Sequence, residues 1–491
     1  MRNHRMDAGP DGRGAWAVGG AGLSVVLLIA ALSGSAASSA PIAAASSTDL
    51  PSAMVRQAEQ LRDRASNGDN RAFEILDGLT TEIGARPAAS DAEHRAADWA
   101  VAKMQELGFK NVHRERFTMT AWRRGVETAE VVAPFPQRLI VTALGNSVAT
   151  PAGGIEADVA LFHSYEELLE APVGSLGGKI AVVTQPMPIG GYPSYFRIRS
   201  EGPVEAARRG AVAYLIRSLG TDGRRVPHTG AILYPPTIAS GMRIPAGALT
   251  AADAEQLERI ARRGRPVRLR LTLTPTILPG EMSETVSGEI PGREHPEEVV
   301  LIGGHLDSWD LGTGAIDDGA GVATTLAAAK MIADLPDRPA RTIRVVLFGA
   351  EEVGQSNAAY AAAHQADEQA RIVVASECDL GSDHVYAVQL PKGAADAPFG
   401  HALARVLGPI GAFVSPDAAL EGGGDLDNLV GVPFANLQQD ATRYFEFHHT
   451  PEDTLDKVDA RQLNQNVAAW VAFTYLVANA KVDFRQHVAS R

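Results

Sequence analysis

The C-terminal part of the chain alternates short apolar runs with helical segments, and this alternation constrains its fold most strongly. The runs predict strands at Val299–Gly303, Thr342–Gly349, Ile372–Cys378 and Phe434–Leu437. The segments between and after them predict helices at Gly319–Asp334, Ala358–Glu368, His401–Leu407 and from Ala460 to about Ala480. Strands that alternate with helices indicate a mostly parallel sheet covered on both faces. We therefore predict an α/β domain with a three-layer, doubly wound, mostly parallel sheet.

Polar side chains follow these apolar strands where each strand ends. They comprise two histidine positions and several carboxylates, namely His305, Asp307, Asp317–Asp318, Glu351–Glu352, Asp379 and His448–His449. Sites in such sheets form at the carboxyl ends of the strands, so we expect these groups to meet at one edge. Because buried carboxylates are costly unless they are paired or bind a metal, the set predicts a functional site and not a solvated rim.

The chemistry of this set suits zinc. The only cysteine, Cys378, is interpreted as a small buried apolar residue, so any metal must be held by His, Asp and Glu. Zinc takes roughly four such ligands, and two histidines with three carboxylates suit two ions if one carboxylate bridges them. Asp317 lies between the other ligands in sequence and is the natural bridge. Two ions roughly 3.5–4 Å apart can lower the pKa of a shared water towards 7, which gives a hydroxide at neutral pH.

Two further roles follow from spacing. Glu351 and Glu352 are adjacent, so their side chains point apart, and one can bind metal while the other acts as general base. Asp307 lies two residues after His305 and on the same side, where a carboxylate can fix the tautomer of a metal-binding histidine.

The remainder of the chain suggests a targeting segment and an inserted domain. Residues 1–45 combine early arginines with the apolar run Leu23–Leu32 and small residues, which is typical of a secretory signal peptide, with an uncleaved membrane anchor as the alternative. Short β-rich runs fill residues 125–283 and predict a separate β-rich domain inserted between 46–124 and 284–491. Within the insert, Tyr192, Tyr195 and Phe196 suggest an aromatic loop, accompanied by Arg197 and Arg199.

Charge excludes one class of partner. The formal net charge is −13, whereas a nucleic-acid-binding protein needs a basic face to neutralise phosphates. We therefore expect no nucleic-acid partner. The signal-like residues 1–45 separately predict a protein outside the cytoplasm, either secreted or periplasmic.

Four segments together resemble peptidase family M28, whose members are zinc peptidases. They are His305–Asp310 (HLDSWD), Gly312–Gly319 (GTGAIDDG), Phe348–Gly354 (FGAEEVG) and His448–Thr454 (HHTPEDT). The resemblance covers nearly all of the chain after the targeting segment, and the insert resembles a protease-associated domain. It implies that one zinc takes His305, Asp317 and Asp379, and that a second takes Asp317, Glu352 and His449. It further implies that Glu351 is the general base, and it suggests a homodimer.

The chain departs from the family pattern beside the last ligand. Many members carry Tyr there, where it can stabilise the oxyanion, whereas this chain has His448. His448, Tyr444 or neither could take that role, and Asp425 lies where members often line the substrate pocket with Ser-Asp-His.

The expected activity is hydrolysis of short peptides, either from the N-terminus or as dipeptides with both ends free. Two other functions are possible on this fold: a metal-free, receptor-like binding protein and a single-zinc glutaminyl cyclase. Measurement of bound zinc distinguishes all three.

Overall fold

The computed structural model describes residues 50–221 and 223–487, so the predicted targeting segment lies outside the described residues. Within them the chain forms sixteen strands: β1 (Lys110–Arg123), β2 (Glu127–Ala133), β3 (Gln137–Leu139), β4 (Val141–Ala143), β5 (Ile155–Phe162), β6 (Ile180–Val183), β7 (Ala213–Arg217), β8 (Ala246–Leu249), β9 (Arg268–Leu273), β10 (Thr276–Ile290), β11 (His295–His305), β12 (Arg341–Phe348), β13 (Ile372–Glu377), β14 (Val385–Gln389), β15 (Phe413–Val414) and β16 (Asn436–Gln439).

Thirteen α-helices accompany the strands in the same residues: α1 (Ser52–Ser66), α2 (Ala72–Gly78), α3 (Asp91–Glu106), α4 (Tyr165–Glu170), α5 (Tyr192–Ser200), α6 (Gly202–Arg208), α7 (Ala251–Ala261), α8 (Ala320–Ala333), α9 (Ser356–Ala363), α10 (Ala366–Gln369), α11 (Pro398–Leu407), α12 (Tyr444–Phe447) and α13 (Ala460–Asn479). None of the helices in residues 50–221 and 223–487 is both long enough and apolar enough to cross a membrane.

A five-stranded sheet in the order β1-β10-β12-β11-β13 carries the candidate site. Strands β12, β11 and β13 run parallel, as the sequence pattern predicts. Strands β1 and β10 pair antiparallel to each other, and β10 pairs antiparallel to β12. The expectation of a mostly parallel sheet is therefore wrong for this half of the sheet. The reason is the long β1–β10 ribbon, in which the chain leaves at Arg123 and returns at Thr276 directly opposite, so the two strands run antiparallel.

The parallel strands β11 and β12 are buried along most of their length. Helices α8 and α13 pack in the same apolar core, in which Trp470 and Phe473 of α13 are fully buried. A three-stranded sheet, β15-β14-β16, adjoins β13 through a bridge between Ala375 and Phe434. Burial of the strands on both faces leaves their carboxyl ends as the place where polar side chains emerge.

Residues 127–273 form an eight-stranded sheet of their own, in the order β3-β2-β9-β5-β6-β7-β8-β4, and we call them the eight-stranded region. The region packs helices α4 to α7 and has two apolar clusters that are distinct from the core around α13. The β-rich character of this part of the sequence is therefore confirmed. Its identity as an inserted protease-associated domain, with the boundaries given above, stays a prediction.

One local prediction in this region is wrong. The segment with Tyr192, Tyr195 and Phe196 is not a loop but helix α5. Gly191 precedes the helix and Pro193 occupies its first turn, where a fixed φ and a missing N–H suit helix initiation. As a helix, the segment places its last turn, including the buried Arg199, against the candidate site.

Candidate metal centre

The candidate ligands come from five different places at the carboxyl edge of the parallel strands. His305 is the last residue of β11, and Asp317 lies in the loop between β11 and α8. Glu352 follows β12, Asp379 follows β13, and His449 follows α12. Because three parallel strands end at this edge, residues that are far apart in sequence become neighbours.

The carboxylate of Asp317 lies between the two histidines. Its Oδ1 is 3.1 Å from Nε2 of His305, and its Oδ2 is 3.1 Å from Nε2 of His449. On the first side, His305 Nε2 is also 3.4 Å from Oδ1 of Asp379. On the second side, His449 Nε2 is 3.0 Å from Oε2 of Glu352. The five side chains therefore form two groups that share Asp317.

These donors fit a cation. Oδ1 of Asp379 is buried and has no hydrogen-bond partner in the structure. Burial opposes protonation of His305, but Asp379 and other carboxylates nevertheless raise its pKa well above the ordinary value. Burial also opposes protonation of His449, but Glu352 and Asp317 raise its pKa well above the ordinary value. Positive charge is thus favoured at the point where the donor atoms converge, as expected of a metal site built from His, Asp and Glu.

Asp318 also lies close to this centre and could be mistaken for a ligand, since it groups by distance with His305 and Asp379. Its two oxygens are already used, however. Oδ2 accepts a hydrogen bond from the backbone N–H of His305 at 3.1 Å, and Oδ1 accepts one from Gly321 at 3.0 Å. A side chain at Gly304 or Gly321 would overlap the Asp318 carboxylate. We assign Asp318 to the scaffold and Asp317 to the centre.

Asp307 connects the two sides of the edge. Nδ1 of His305 lies 3.0 Å from the backbone oxygen of Asp307 and 3.6 Å from its carboxylate. The carboxylate makes its shorter contacts elsewhere, because its oxygens accept hydrogen bonds from the N–H groups of Glu351 at 3.0 Å and Glu352 at 3.4 Å. Asp307 thus orients His305 through its main chain and the glutamate pair through its side chain.

Glu351 faces a glycine-lined wall. A Cβ atom on Gly424 would lie 2.3 Å from Oε1 of Glu351, so a larger residue there would displace this carboxylate. Burial raises the pKa of Glu351 well above its ordinary value, and Asp379 and Asp425 add to the effect while His305 opposes it. A carboxylate with a raised pKa holds a proton more readily near neutral pH, which suits proton transfer.

The three residues considered for substrate or transition-state contact fall into two places. His448 is buried, stacks on Tyr444 with ring centroids 4.7 Å apart, and has no hydrogen-bond partner at either ring nitrogen. Asp425 lies on the other side, where its N–H donates to Glu377 at 3.1 Å and its carboxylate accepts from Ser356. Burial raises the pKa of Asp425 to about 8. The two aromatic residues therefore lie beside His449, and Asp425 lies beside Glu351.

Two residues that sequence reasoning missed support the loop between the ligands. Arg86 is fully buried and donates to four backbone oxygens, those of Gly84, Leu306, Thr313 and Gly314. Asp453 is buried and accepts from the N–H groups of Ile316 at 2.6 Å and Asp317 at 3.3 Å. Asp453 lies within the HHTPEDT segment, but nothing in the sequence indicates that backbone amides are its partners.

Clefts flank the centre on both sides. Next to Glu352 is a cleft of about 150 Å³ lined by Trp122, Arg123 and Trp309. Next to Asp379 is one of about 350 Å³ lined by Glu377 and the glycines 422–424.

A parallel sheet edge with two histidines and two further carboxylates around one shared aspartate indicates the class of metallohydrolases. The model of "Peptidase family M28" matches residues 285–474. Mouse carboxypeptidase Q is 35% identical over 413 residues, which cover 84% of this chain and 86% of the mouse protein. The chain therefore belongs to peptidase family M28, and it is an enzyme of the metallo-exopeptidase type.

Solved structures agree. A peptidase M28 precursor from Shewanella amazonensis superposes with a TM-score of 0.84 at 42% identity, over 88% of this chain and 98% of that one. A zinc aminopeptidase from Bacillus subtilis superposes with a TM-score of 0.62 at 19% identity, over 84% and 96% of the two chains. The second likeness shows the fold. The predicted family and the mixed α/β class are confirmed.

Proposed function

We propose that the protein is a two-zinc exopeptidase that hydrolyses short peptides. The observation that carries the proposal is the shared carboxylate of Asp317, which faces His305 with one oxygen and His449 with the other, each at 3.1 Å. A carboxylate in that position suits two cations better than one.

One ion would be held by His305, Asp317 and Asp379, and the other by Asp317, Glu352 and His449. When bound, the pair would supply a Lewis acid for the peptide carbonyl and would acidify water at neutral pH. The protein's own groups do the remaining work. Glu351 accepts the proton of the attacking water and passes it to the leaving amine, in keeping with its raised pKa. The Asp307 carboxylate accepts hydrogen bonds from the backbone of Glu351 and Glu352 and so holds both residues close to His305.

The substrate is proposed to be a short peptide because the chain is a metallo-exopeptidase of family M28. Curated relatives are named both as carboxypeptidases and as an aminopeptidase, so removal of an N-terminal residue and cleavage of dipeptides are both carried forward. Dipeptides with and without N-acetylation separate these from endopeptidase activity. Equal rates on the free and blocked sets would refute a requirement for a free amine.

We propose that the enzyme works outside the cytoplasm, as a secreted or periplasmic protein, on the strength of the sequence of residues 1–45. N-terminal sequencing of the protein recovered from its producing cell tests this. A blocked or intact Met1 in the recovered protein would favour the membrane anchor instead.

The decisive variant is Glu351→Gln, which keeps the shape of the side chain but removes the base. It should retain two zinc ions per chain by mass spectrometry and lose about 100- to 10,000-fold in kcat, the usual contribution of a general base. Glu82→Gln changes the same charge at an exposed position and should leave kcat unchanged. A variant at Glu351 that turns over normally would refute its role, and one zinc per chain in the wild type at saturating zinc would refute the two-ion centre.

A further inference from the structure

The eight-stranded region contacts the candidate ligand His449 directly. The backbone N–H of Thr229 donates to the backbone oxygen of His449 at 2.9 Å. Nη1 of Arg199, from the last turn of α5, lies 3.0 Å from Nδ1 of the same histidine. A ligand that follows α12 is therefore held by a part of the chain more than two hundred residues away in sequence.

Arg199 is in an unusual setting for a guanidinium. It is 9% exposed, and its Nε has no hydrogen-bond partner. Its second contact is a long one of 3.4 Å from Nη1 to the oxygen of Thr229. Within the described part of the chain, no carboxylate lies within ion-pair distance of it, in contrast to Arg197 on the same helix, which pairs with Glu201 at 2.9 Å.

Space for this guanidinium depends on a glycine. A Cβ atom on Gly230 would lie 1.7 Å from Nη1 of Arg199, and Gly230 adopts φ +124°, which side chains rarely allow. The backbone of the eight-stranded region at Gly230 therefore leaves the space in which Arg199 contacts His449.

The two histidines of the centre are consequently in opposite surroundings. Nδ1 of His305 faces an acceptor, the backbone oxygen of Asp307 at 3.0 Å. Nδ1 of His449 faces Arg199, which can only donate. A neutral imidazole that gives its Nε2 lone pair to a metal carries its proton on Nδ1, and that proton needs an acceptor. The partner of Nδ1 thus supports metal binding at His305 and opposes it at His449, although Asp317 favours positive charge on the Nε2 side of both histidines.

We propose that Arg199 is a positioning residue that weakens zinc binding at the Asp317, Glu352 and His449 group, so that the two ions are held unequally. The inference rests on the two-zinc function proposed above. The eight-stranded region thereby sets the occupancy of the second ion, and the ion bound through His305, Asp317 and Asp379 is the one that stays.

Competition titration of the metal-free protein with zinc and a chromophoric chelator tests the inference without using activity. The wild type should bind one zinc tightly and one weakly. Arg199→Gln is two bonds shorter, so it withdraws the donor from Nδ1 of His449, and it should tighten the weak ion by about 10- to 100-fold, the range typical of partners of metal ligands. Arg199→Lys keeps a donor and should behave like the wild type.

Arg197→Gln is the matched control, because it makes the same change on the exposed face of α5 and should alter neither affinity. If Arg199→Gln does not fold, as judged by its thermal midpoint, Arg199→Met removes the same donor and should give a comparable tightening. Two equal affinities in the wild type, or a second ion that Arg199→Gln leaves unchanged or weakens, would overturn the role of Arg199. A wild type that never takes up a second ion would instead refute the two-zinc centre.

Discussion

Arg86 offers a sharp test of how the centre is supported. Its guanidinium is fully buried and donates to four backbone oxygens, two of which, Thr313 and Gly314, belong to the loop that leads to Asp317. Arg86→Lys keeps the positive charge but replaces the planar fork with a single ammonium group. The ammonium cannot reach carbonyls on opposite sides of the fork, so we expect at least two of the four to lose their donor.

The magnitude follows from that count. A buried polar group left without its partner costs about 1–3 kcal/mol, so two of them predict a loss of about 2–6 kcal/mol in the free energy of unfolding. Because the same loop joins His305 to Asp317, zinc affinity should fall as well.

Urea unfolding of the metal-free protein and zinc titration measure the two effects separately. Arg64→Lys is the matched control, because Arg64 is about half exposed and pairs with the exposed Asp69. It should change the free energy of unfolding by less than about 0.5 kcal/mol. If Arg86→Lys were as mild as this control, the buried guanidinium would not be supporting the loop, and the reasoning would be refuted.

Three further outcomes are expected. Gly424→Ala brings a methyl group against Glu351 and should lower kcat by about 100-fold with zinc content unchanged; a kcat within twofold of wild type would contradict the tight fit. Burial disfavours charge on His364, yet hydrogen bonds with Glu115 and Glu368 raise its pKa, so its stabilising effect is full below pH 6.5 and lost as pH rises through the raised pKa. His364→Gln should therefore cost about 1 kcal/mol in urea unfolding at pH 5.5 and little at pH 9, and an equal cost at both would contradict the ion pair. Removing zinc with a chelator should lower the thermal midpoint reversibly, because buried carboxylates lose their counter-charge, whereas an unchanged midpoint would argue against a structural contribution from the metal.

The parallel strands and the clustering of the candidate ligands were predictable because each rests on a local pattern. The run before His305 is apolar enough to be a buried strand, and strand ends that share an edge bring their following residues together. The antiparallel β1–β10 ribbon was not predictable in the same way, since it pairs Phe117 with Ser283 across more than 160 residues. Helix α5 was missed although Tyr192, Tyr195 and Phe196 have helical spacing, because Gly190, Gly191 and Pro193 beside them are typical of a turn.

The residues that support the centre could not be identified from the sequence for a different physical reason. Arg86 and Asp453 bind backbone oxygens and amides, which every residue possesses, so no side-chain pattern identifies their partners. Arg199 contacts His449 from another sheet, and only the fold brings the two together.

The ends of the ribbon have a consequence for the history of the chain. Arg123, which closes β1, pairs with Thr276, which opens β10, so the chain leaves for the eight-stranded region and returns at adjacent positions. A tight hairpin would join these positions equally well, so the region could be gained or exchanged in one event without rethreading the sheet. Any such exchange would also bring in a new neighbour for His449. Exchange of the eight-stranded region would then also change the concentration of free zinc at which the second ion binds.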